Sequence, residues 1–451
     1  MSAPGVIVLA AGQGTRMRSS LPKVLHPVCG KPMILHVIDA ARALGPARIA
    51  VVVGHGGEQV RAAAAAPDVT FVEQDVLDGT GGAVDRCREA MAGCDPIVVL
   101  NGDEPLISPR TLGRLLAALE GRRMAFVTQW VPDGLALGRV RRAGDTPDGA
   151  VMGIVQLADD PGRSGPAEIN WGQYAFAAPW LWSMLDKVPL SSRGERYLTL
   201  LADYAHDDRT PAATVAADPG EALGVDDRVK LAEAETRMRH RILRDHMLAG
   251  VTITDPGSTY IDATVRLAGD VTVLPNCFLR GNTAVGENSV IGPATTLRNA
   301  AVGRDTEIGQ SVVEESRIGD GVHLGPFAHV RGNSTIGDGC HLGNYAEVNR
   351  STLGRDVKMH HFSYLGDATV GDGANIAAGV ITCNYDGVNK NPTVIGEGAF
   401  VACDTMLVAP VTFGAHARTG AGAVLRDDLP PGALAVGVPA RIVRTSPPPE
   451  S

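Results

Sequence analysis

Two short stretches hold residues suited to chemistry on a charged ligand. VIVLAAGQGTRM, Val6 to Met17, runs four apolar residues into a loop with Gly12, Gly14 and then Arg16. A buried strand ending in such a turn brings backbone N–H groups up to a phosphate. NGD, Asn101 to Asp103, closes a second apolar run, PIVVL. The first loop departs from the dinucleotide fingerprint, because Met17 stands where the third glycine belongs. RIAVVVGHGG, the next apolar run, also lacks the acidic residue that takes a ribose hydroxyl. The spacing therefore argues against a nicotinamide enzyme and for a different phosphate ligand.

The elements that position these loops are legible. Up to about Gly224, short strands (VIVLA, RIAVVVG, PIVVLNGD) alternate with helical stretches such as MILHVIDAARAL and TLGRLLAALE. That alternation predicts a mostly parallel α/β sheet, whose ligands sit beyond the carboxyl ends of its strands. Residues 226–249 hold no glycine or proline and predict one long, solvated helix stopped by Gly250.

Beyond it the period changes. Ile318, Leu324, Val330, Ile336, Leu342 and Val348 recur six apart, most followed by glycine. The pattern continues through Leu353, Met359, Leu365, Val370 and Ile376, then resumes at Ile395, Val401 and Leu407. A hexapeptide period predicts a parallel β-helix with one inward apolar residue per short strand. His323 and His341, one coil apart, should stack on one face, as a solvated ladder in preference to a metal site.

Composition narrows the partners. With 44% apolar and 20% charged residues, 451 residues make more than one ordinary globular core. The net charge of −9 argues against nucleic acid and against an anionic membrane surface. Seven scattered cysteines, with no CxxC pair, read as reduced thiols. No segment approaches 18 apolar residues, so a cytoplasmic protein is expected.

LAAGQGTRM, LPKVLH, DGTGGA, NGDEPLI, EIN and SYLGDATVGDGANIAAGVITCNYDGVNK together carry a resemblance over nearly the whole chain. The sequence resembles the bacterial bifunctional N-acetylglucosamine-1-phosphate uridylyltransferase/glucosamine-1-phosphate N-acetyltransferase family. The resemblance implies a Rossmann-like nucleotidylyltransferase in 1–225, a linker helix in 226–249 and a left-handed β-helix acetyltransferase in 250–451. It implies UTP, a sugar 1-phosphate and acetyl-coenzyme A as substrates, Mg²⁺ as cofactor, and a homotrimer built through the β-helix.

In the first half, uridylyl transfer needs charge neutralisation and in-line positioning more than a protein nucleophile. The resemblance gives Leu9, Ala10, Ala11 and Gly12 to the base and phosphates, with Arg16 and Lys23 as cations. It gives Gln74, Gly79 and Thr80 to the uracil, and Asn101 and Gly102 to the nucleotide sugar. Gly138, Gln156 and Asn170 fall to the sugar, and Asp103 and Asp226 to the metal. Three positions depart from the family: Gln156 replaces a glutamate, Asp226 an asparagine, and Gly82 a histidine. Asp226 also reads as the N-cap of the following helix.

In the second half, the resemblance makes His361 the base that takes the amine proton, a role imidazole suits near neutrality. Glu347 would assist it. Arg331, Asn349, Tyr364, Asn375 and Lys390 fall to glucosamine-1-phosphate. Ala378, Asn384, Tyr385, Cys403 and Ala421 fall to acetyl-coenzyme A, with the Ala378 N–H at the oxyanion. Asn349 stands where the family has a lysine, and strand alternation turns the neighbouring Arg350 to the opposite face. One lost charge-assisted phosphate contact costs about 1.5–3 kcal/mol. A late arginine is also absent from ALAVGVPAR, though Arg441 lies near, and Cys403 replaces a serine. The rival readings are a nucleotidylyltransferase whose β-helix is only a trimer scaffold or acetylates another acceptor, one with a different sugar or base, motivated by Gln156, and a non-catalytic regulatory homologue, against which Lys23 and Asp103 stand.

Overall fold

The computed structural model describes residues 3–132, 138–156, 165–192 and 194–444. The proline-rich C-terminal tail lies outside them. The chain separates into two compact units, Met1–Met238 and Arg239–Ser451. The boundary falls inside one continuous helix, Arg228–Leu248. It begins two residues later than the glycine-free stretch, because Asp227 caps it: the Lys230 N–H donates to Asp227 Oδ1 at 2.9 Å. Gly250 ends it in the left-handed region, at φ +97°.

In the first unit one sheet runs Ala213–Ala216, Met124–Val131, Ala167–Phe176, Ile97–Asn101, Gly5–Leu9, Arg48–Val53, Val69–Glu73. The last four strands pair parallel. Ala167–Phe176 runs antiparallel between its neighbours. The continuous apolar runs follow from burial on both faces. Ile7, Val52 and Val99 pack into the core on one side, while Val6, Val8, Val51 and Val98 pack into the core on the other. Each such side chain contributes roughly 1.5–3 kcal/mol on full burial. Register sets the rest: Leu9 lies opposite both Val52 and Asn101, so these strands end at one level.

The second unit is a left-handed parallel β-helix. Among the described residues its strands form three sheets, of 12, 10 and 9, parallel except for Arg441–Arg444, which turns back antiparallel on Leu434–Val436. The first face contains His323–Leu324, His341–Leu342 and Lys358–Met359. The second contains His329–Arg331, Ala346–Asn349 and Ser363–Gly366, and the third Thr335–Ile336, Thr352–Leu353 and Ala368–Val370. Every apolar residue placed inward by the six-residue period, from Ile318 to Leu407, is buried. The period does not foretell the hydroxyl ladder along one line of corners. Ser316, Ser334 and Ser351 each accept a backbone N–H from the next coil, at 2.9–3.2 Å. These buried hydroxyls satisfy amides that leave the strand ladder at the turns.

Leu342 is fully buried between coils. Leu342→Ala should destabilise the second unit by about 2–5 kcal/mol, read as a lower urea midpoint for its unfolding. A loss below about 0.5 kcal/mol, the size of a surface change, would contradict the inward register.

Candidate functional sites

At the carboxyl edge of the sheet, the loops after Gly5–Leu9 and Ile97–Asn101 close around a cleft of about 440 Å³. Leu9, Ala10, Ala11, Gly12, Lys23, Gln74, Gly79, Thr80, Asn101 and Asp103 all line it. Gly14, at φ +61°, lets the first loop lie against Lys23: a Cβ there would stand 2.6 Å from Lys23 Cβ. The Lys23 ammonium pairs with the Asp103 carboxylate. Gly102 sits beneath the cleft, its N–H donating to Leu9 O at 2.9 Å.

The strand end also brings in Asp226. The Val225 N–H donates to Asp103 O at 3.0 Å, and Asp226 pairs with Arg16 at 2.6 Å and Lys230 at 2.9 Å. Burial works to raise the Asp226 carboxyl, but Lys230, Arg16 and Lys23 outweigh it and hold it below its ordinary value. Asp226 thus faces cations, and the capping role belongs to Asp227.

Gln74 is positioned by a network invisible in the sequence. Its amide donates to Asp78 Oδ1 at 3.3 Å and Gly79 O at 3.2 Å. Asp78 also pairs with Arg86 at 2.9 Å and Arg196 at 2.8 Å. The Arg196 N–H donates to Asp78 O and its carbonyl accepts from Gly81, pinning the Gly79–Thr80 turn. The Asp78 carboxylate fills the space a Cβ at Gly82 would need. A side chain at position 82 would displace this anchor.

Gly138, Gln156 and Asn170 do not line the cleft wall described above. They meet one another beside it: the Asn170 N–H donates to Gly138 O at 2.9 Å, and a Cβ on Gly138 would reach the Gln156 amide at 3.5 Å. Gln156 donates to Thr199 at 2.8 Å, and the Asn170 amide donates to the Tyr174 hydroxyl at 2.6 Å.

Glu104 escaped the sequence reading, although its place beside Asp103 in NGDEP was a signal. It is buried in the cleft wall, where Asn101 donates to its Oε1 at 2.8 Å. Its Oε2 has no hydrogen-bond partner among the described residues. Burial, then the Asp103 charge, push it well above the ordinary carboxylate range.

Among the described residues no group of three or more His, Cys, Asp or Glu is arranged to hold a metal ion. The Asp103 and Asp226 carboxylates, each opposed by cations, suit an ion that takes its other ligands from phosphate and water. Mg²⁺ is bound in that way, through one or two carboxylates. The donor set fits it.

On the β-helix the candidate residues spread over the second face and its two edges. His361, Ala378, Cys403 and Ala421 occupy successive coils along the edge between the first and second faces. Bonds at 2.8 Å from Gly379 to Phe362 O, Asp404 to Ala378 O and Gly422 to Cys403 O stack these turns. On the second face Tyr364 lies in register with Glu347. Glu347 pairs with Arg331 at 2.6 Å, so Arg331, not His361, holds its carboxylate. Asn384, Tyr385 and Lys390 belong to the excursion before the strand Thr393–Ile395, with Tyr385 bridged to Lys390. Asn375 stands apart on the first face, between Lys358 and Phe400.

His323 and His341 stack as expected, with ring centroids 5.5 Å apart, and His360 extends the ladder at 4.2 Å from His341. Burial, then His360 and His323, lower the His341 pKa. Five of the seven cysteines are buried and Cys403 is exposed.

The expected orientation of Arg350 is corrected. Its strand ends at Asn349, and Arg350 takes φ +50° at the corner, where alternation no longer holds. Its guanidinium folds back to Asn349 Oδ1 at 3.3 Å and pairs with Asp367 at 2.7 Å.

Asp78 supplies a pH test. Burial works to raise its carboxyl, but Arg196, Gln74 and Arg86 prevail and depress it. Its stabilising effect is therefore present above the unfolded carboxylate value, near ~3.9, and fades as pH falls through the lower folded value. Asp78→Asn should lower the stability of the first unit at pH 7, with the difference from the parent chain vanishing in acid denaturation below that window. A difference independent of pH would contradict the ion pairing.

Comparison with known proteins adds family evidence. The MobA-like NTP transferase domain model matches residues 6–210, and the bacterial transferase hexapeptide model, six repeats, matches residues 315–350. The bifunctional protein GlmU of Brevibacillus brevis is 42% identical over 442 residues, covering 97% of this chain and 95% of that protein. That of Corynebacterium efficiens is 41% identical over 448 residues, covering 96% and 91%. That of Geobacillus thermodenitrificans is 42% identical over 437 residues, covering 96% and 94%. No described helix is long and apolar enough to cross a membrane.

Proposed function

The chain belongs to the family of bifunctional GlmU proteins, and from that premise we propose that it makes UDP-N-acetylglucosamine in two steps. Acetyl transfer from acetyl-coenzyme A to glucosamine-1-phosphate takes place on the β-helix. Uridylyl transfer from UTP to the acetylated product follows in the first unit. The observation that carries the reading is the single cleft in which Leu9–Gly12, Lys23 and Asp103 converge at the sheet's carboxyl edge.

In that cleft the sugar-phosphate oxygen attacks the α-phosphorus, and the bond to pyrophosphate breaks. The loop amides hold the phosphates, and Lys23 and Arg16 neutralise their charge. Mg²⁺, when held by Asp103 and Asp226, supplies further neutralisation on the phosphates. Gln74 spends its N–H groups on Asp78 and Gly79, which keeps its carbonyl oxygen for the uracil N–H. Gly138, Gln156 and Asn170 receive the sugar. Gln156 presents a donor where a carboxylate would offer only acceptors.

On the β-helix the amine attacks the thioester carbonyl while His361 takes its proton. The Ala378 N–H stabilises the oxyanion, and the C–S bond then breaks to release the thiol. Arg331 and Lys390 bind the sugar phosphate, and the edge through Cys403 and Ala421 receives the coenzyme.

The scatter of these residues over two faces and two edges favours a site completed by a neighbouring copy. Exposed Phe327, Tyr345 and Phe362 on the same edge as His361 supply apolar area for that contact. A homotrimer through the β-helix in the cytoplasm fits this reading.

Asp103→Ala should abolish pyrophosphate release from UTP yet leave acetyl transfer and oligomeric state intact; joint loss of both activities would contradict two separate sites. His361→Ala should abolish thiol release from acetyl-coenzyme A with glucosamine-1-phosphate. If the parent chain releases no thiol while uridylyl transfer persists, the β-helix is a scaffold or serves another acceptor.

A further inference from the structure

We propose that Arg350 is a phosphate-binding residue of the acetyl-transfer site and supplies the charge that neutral Asn349 does not. The proposal rests on the reading of that site given above. Asn349 is buried at the end of its strand, in register with Arg331 on the preceding coil. It brings hydrogen-bonding capacity to that point but no charge. The next residue leaves the strand with φ +50°, and its side chain turns back over Asn349.

Asp367 holds the guanidinium in place. Arg350 Nε and Nη2 donate to its two carboxylate oxygens at 2.7 and 2.9 Å, and Nη1 donates to Asn349 at 3.3 Å. Asn384 donates to the same carboxylate. Three of the five guanidinium N–H groups are thereby engaged, and the other two have no partner among the described residues, on a side chain that is 37% exposed. An arginine so pre-oriented loses little entropy when it takes an anion.

The surroundings select the ligand. Arg350 hydrogen bonds, joined by Asn384 and the Lys390 charge, depress the Asp367 carboxyl, so Lys390 lies within electrostatic reach of the pair. Lys390 forms no ion pair among the described residues. The Tyr364 hydroxyl and Asn384 amide converge over Gly366, on the coil next to Asn349. Arg331 and Arg350 are each held by one carboxylate, Glu347 and Asp367, and with Lys390 they bring three cations and several directed donors to this part of the β-helix. A phosphate monoester fits that combination, because it takes forked arginine donors and a lysine point charge together.

The full-length Arg350→Ala variant should raise KM for glucosamine-1-phosphate by about tenfold or more and weaken inhibition by inorganic phosphate in parallel. Its kcat and its KM for acetyl-coenzyme A should stay within about threefold. Arg350→Lys, which keeps the charge but loses the fork, should fall between. An unchanged KM with unchanged phosphate inhibition would overturn the proposal. A parallel fall in kcat and acetyl-coenzyme A affinity would also overturn it, by showing that Arg350 only props the corner. Calorimetric titration with inorganic phosphate needs no turnover. If the parent chain fails to acetylate glucosamine-1-phosphate, the proposed function falls, while loss or retention of phosphate binding in the variant still decides the role of Arg350. Should the alanine variant not fold, Arg350→Gln carries the same measurements.

Discussion

Parallel strand pairing is the constraint on which both units depend. Strands that run the same way in register end at the same level, so whatever follows them in the chain is gathered along one edge. In the first unit this puts Leu9 beside Asn101 and Val52 and so gathers the glycine loop, the Asp103 carboxylate and Lys23 around one cleft. In the β-helix the same rule acts coil by coil. It lines His361, Ala378, Cys403 and Ala421 along one edge, and Asn349, Asp367 and Asn384 near another.

Both edges leave backbone N–H groups and charged side chains without strand partners, and the two units use this differently. In the first unit Asp103 is matched with Lys23 and Asp226 with Arg16 and Lys230, while Glu104 in the cleft wall has only Asn101. The β-helix places its polar groups on an open surface, where a solvated ion pair has little worth by itself. There Glu347 and Asp367 hold Arg331 and Arg350 in fixed orientations.

The departures at Gln156, Gly82 and Asn349 take on physical meaning only in these surroundings. At position 82 the Asp78 carboxylate occupies the room a side chain would need, and it anchors Gln74 from there. At position 156 the amide is engaged by Thr199. Asn349 accepts a hydrogen bond from Arg350 across the corner.

The sequence by itself determined the two architectures, because each rests on a periodicity: continuous apolar runs between amphipathic helices, then one apolar residue in six. It also determined that the glycine loop and NGD would close strands, since glycine and apolar runs punctuate the chain locally. Tertiary structure alone decided the partners. Asp227 displaced Asp226 as helix cap because capping depends on which carboxylate the turn aims at a free N–H. Glu347, whose register partner on the preceding coil is His329, went to Arg331, two residues further along that strand on the same side. Arg350 turned back because its strand stops one residue earlier, and the side-chain alternation read from spacing is valid only inside a strand. Glu104 became a buried acid because the loops folded over it, a fact of packing that no local pattern encodes.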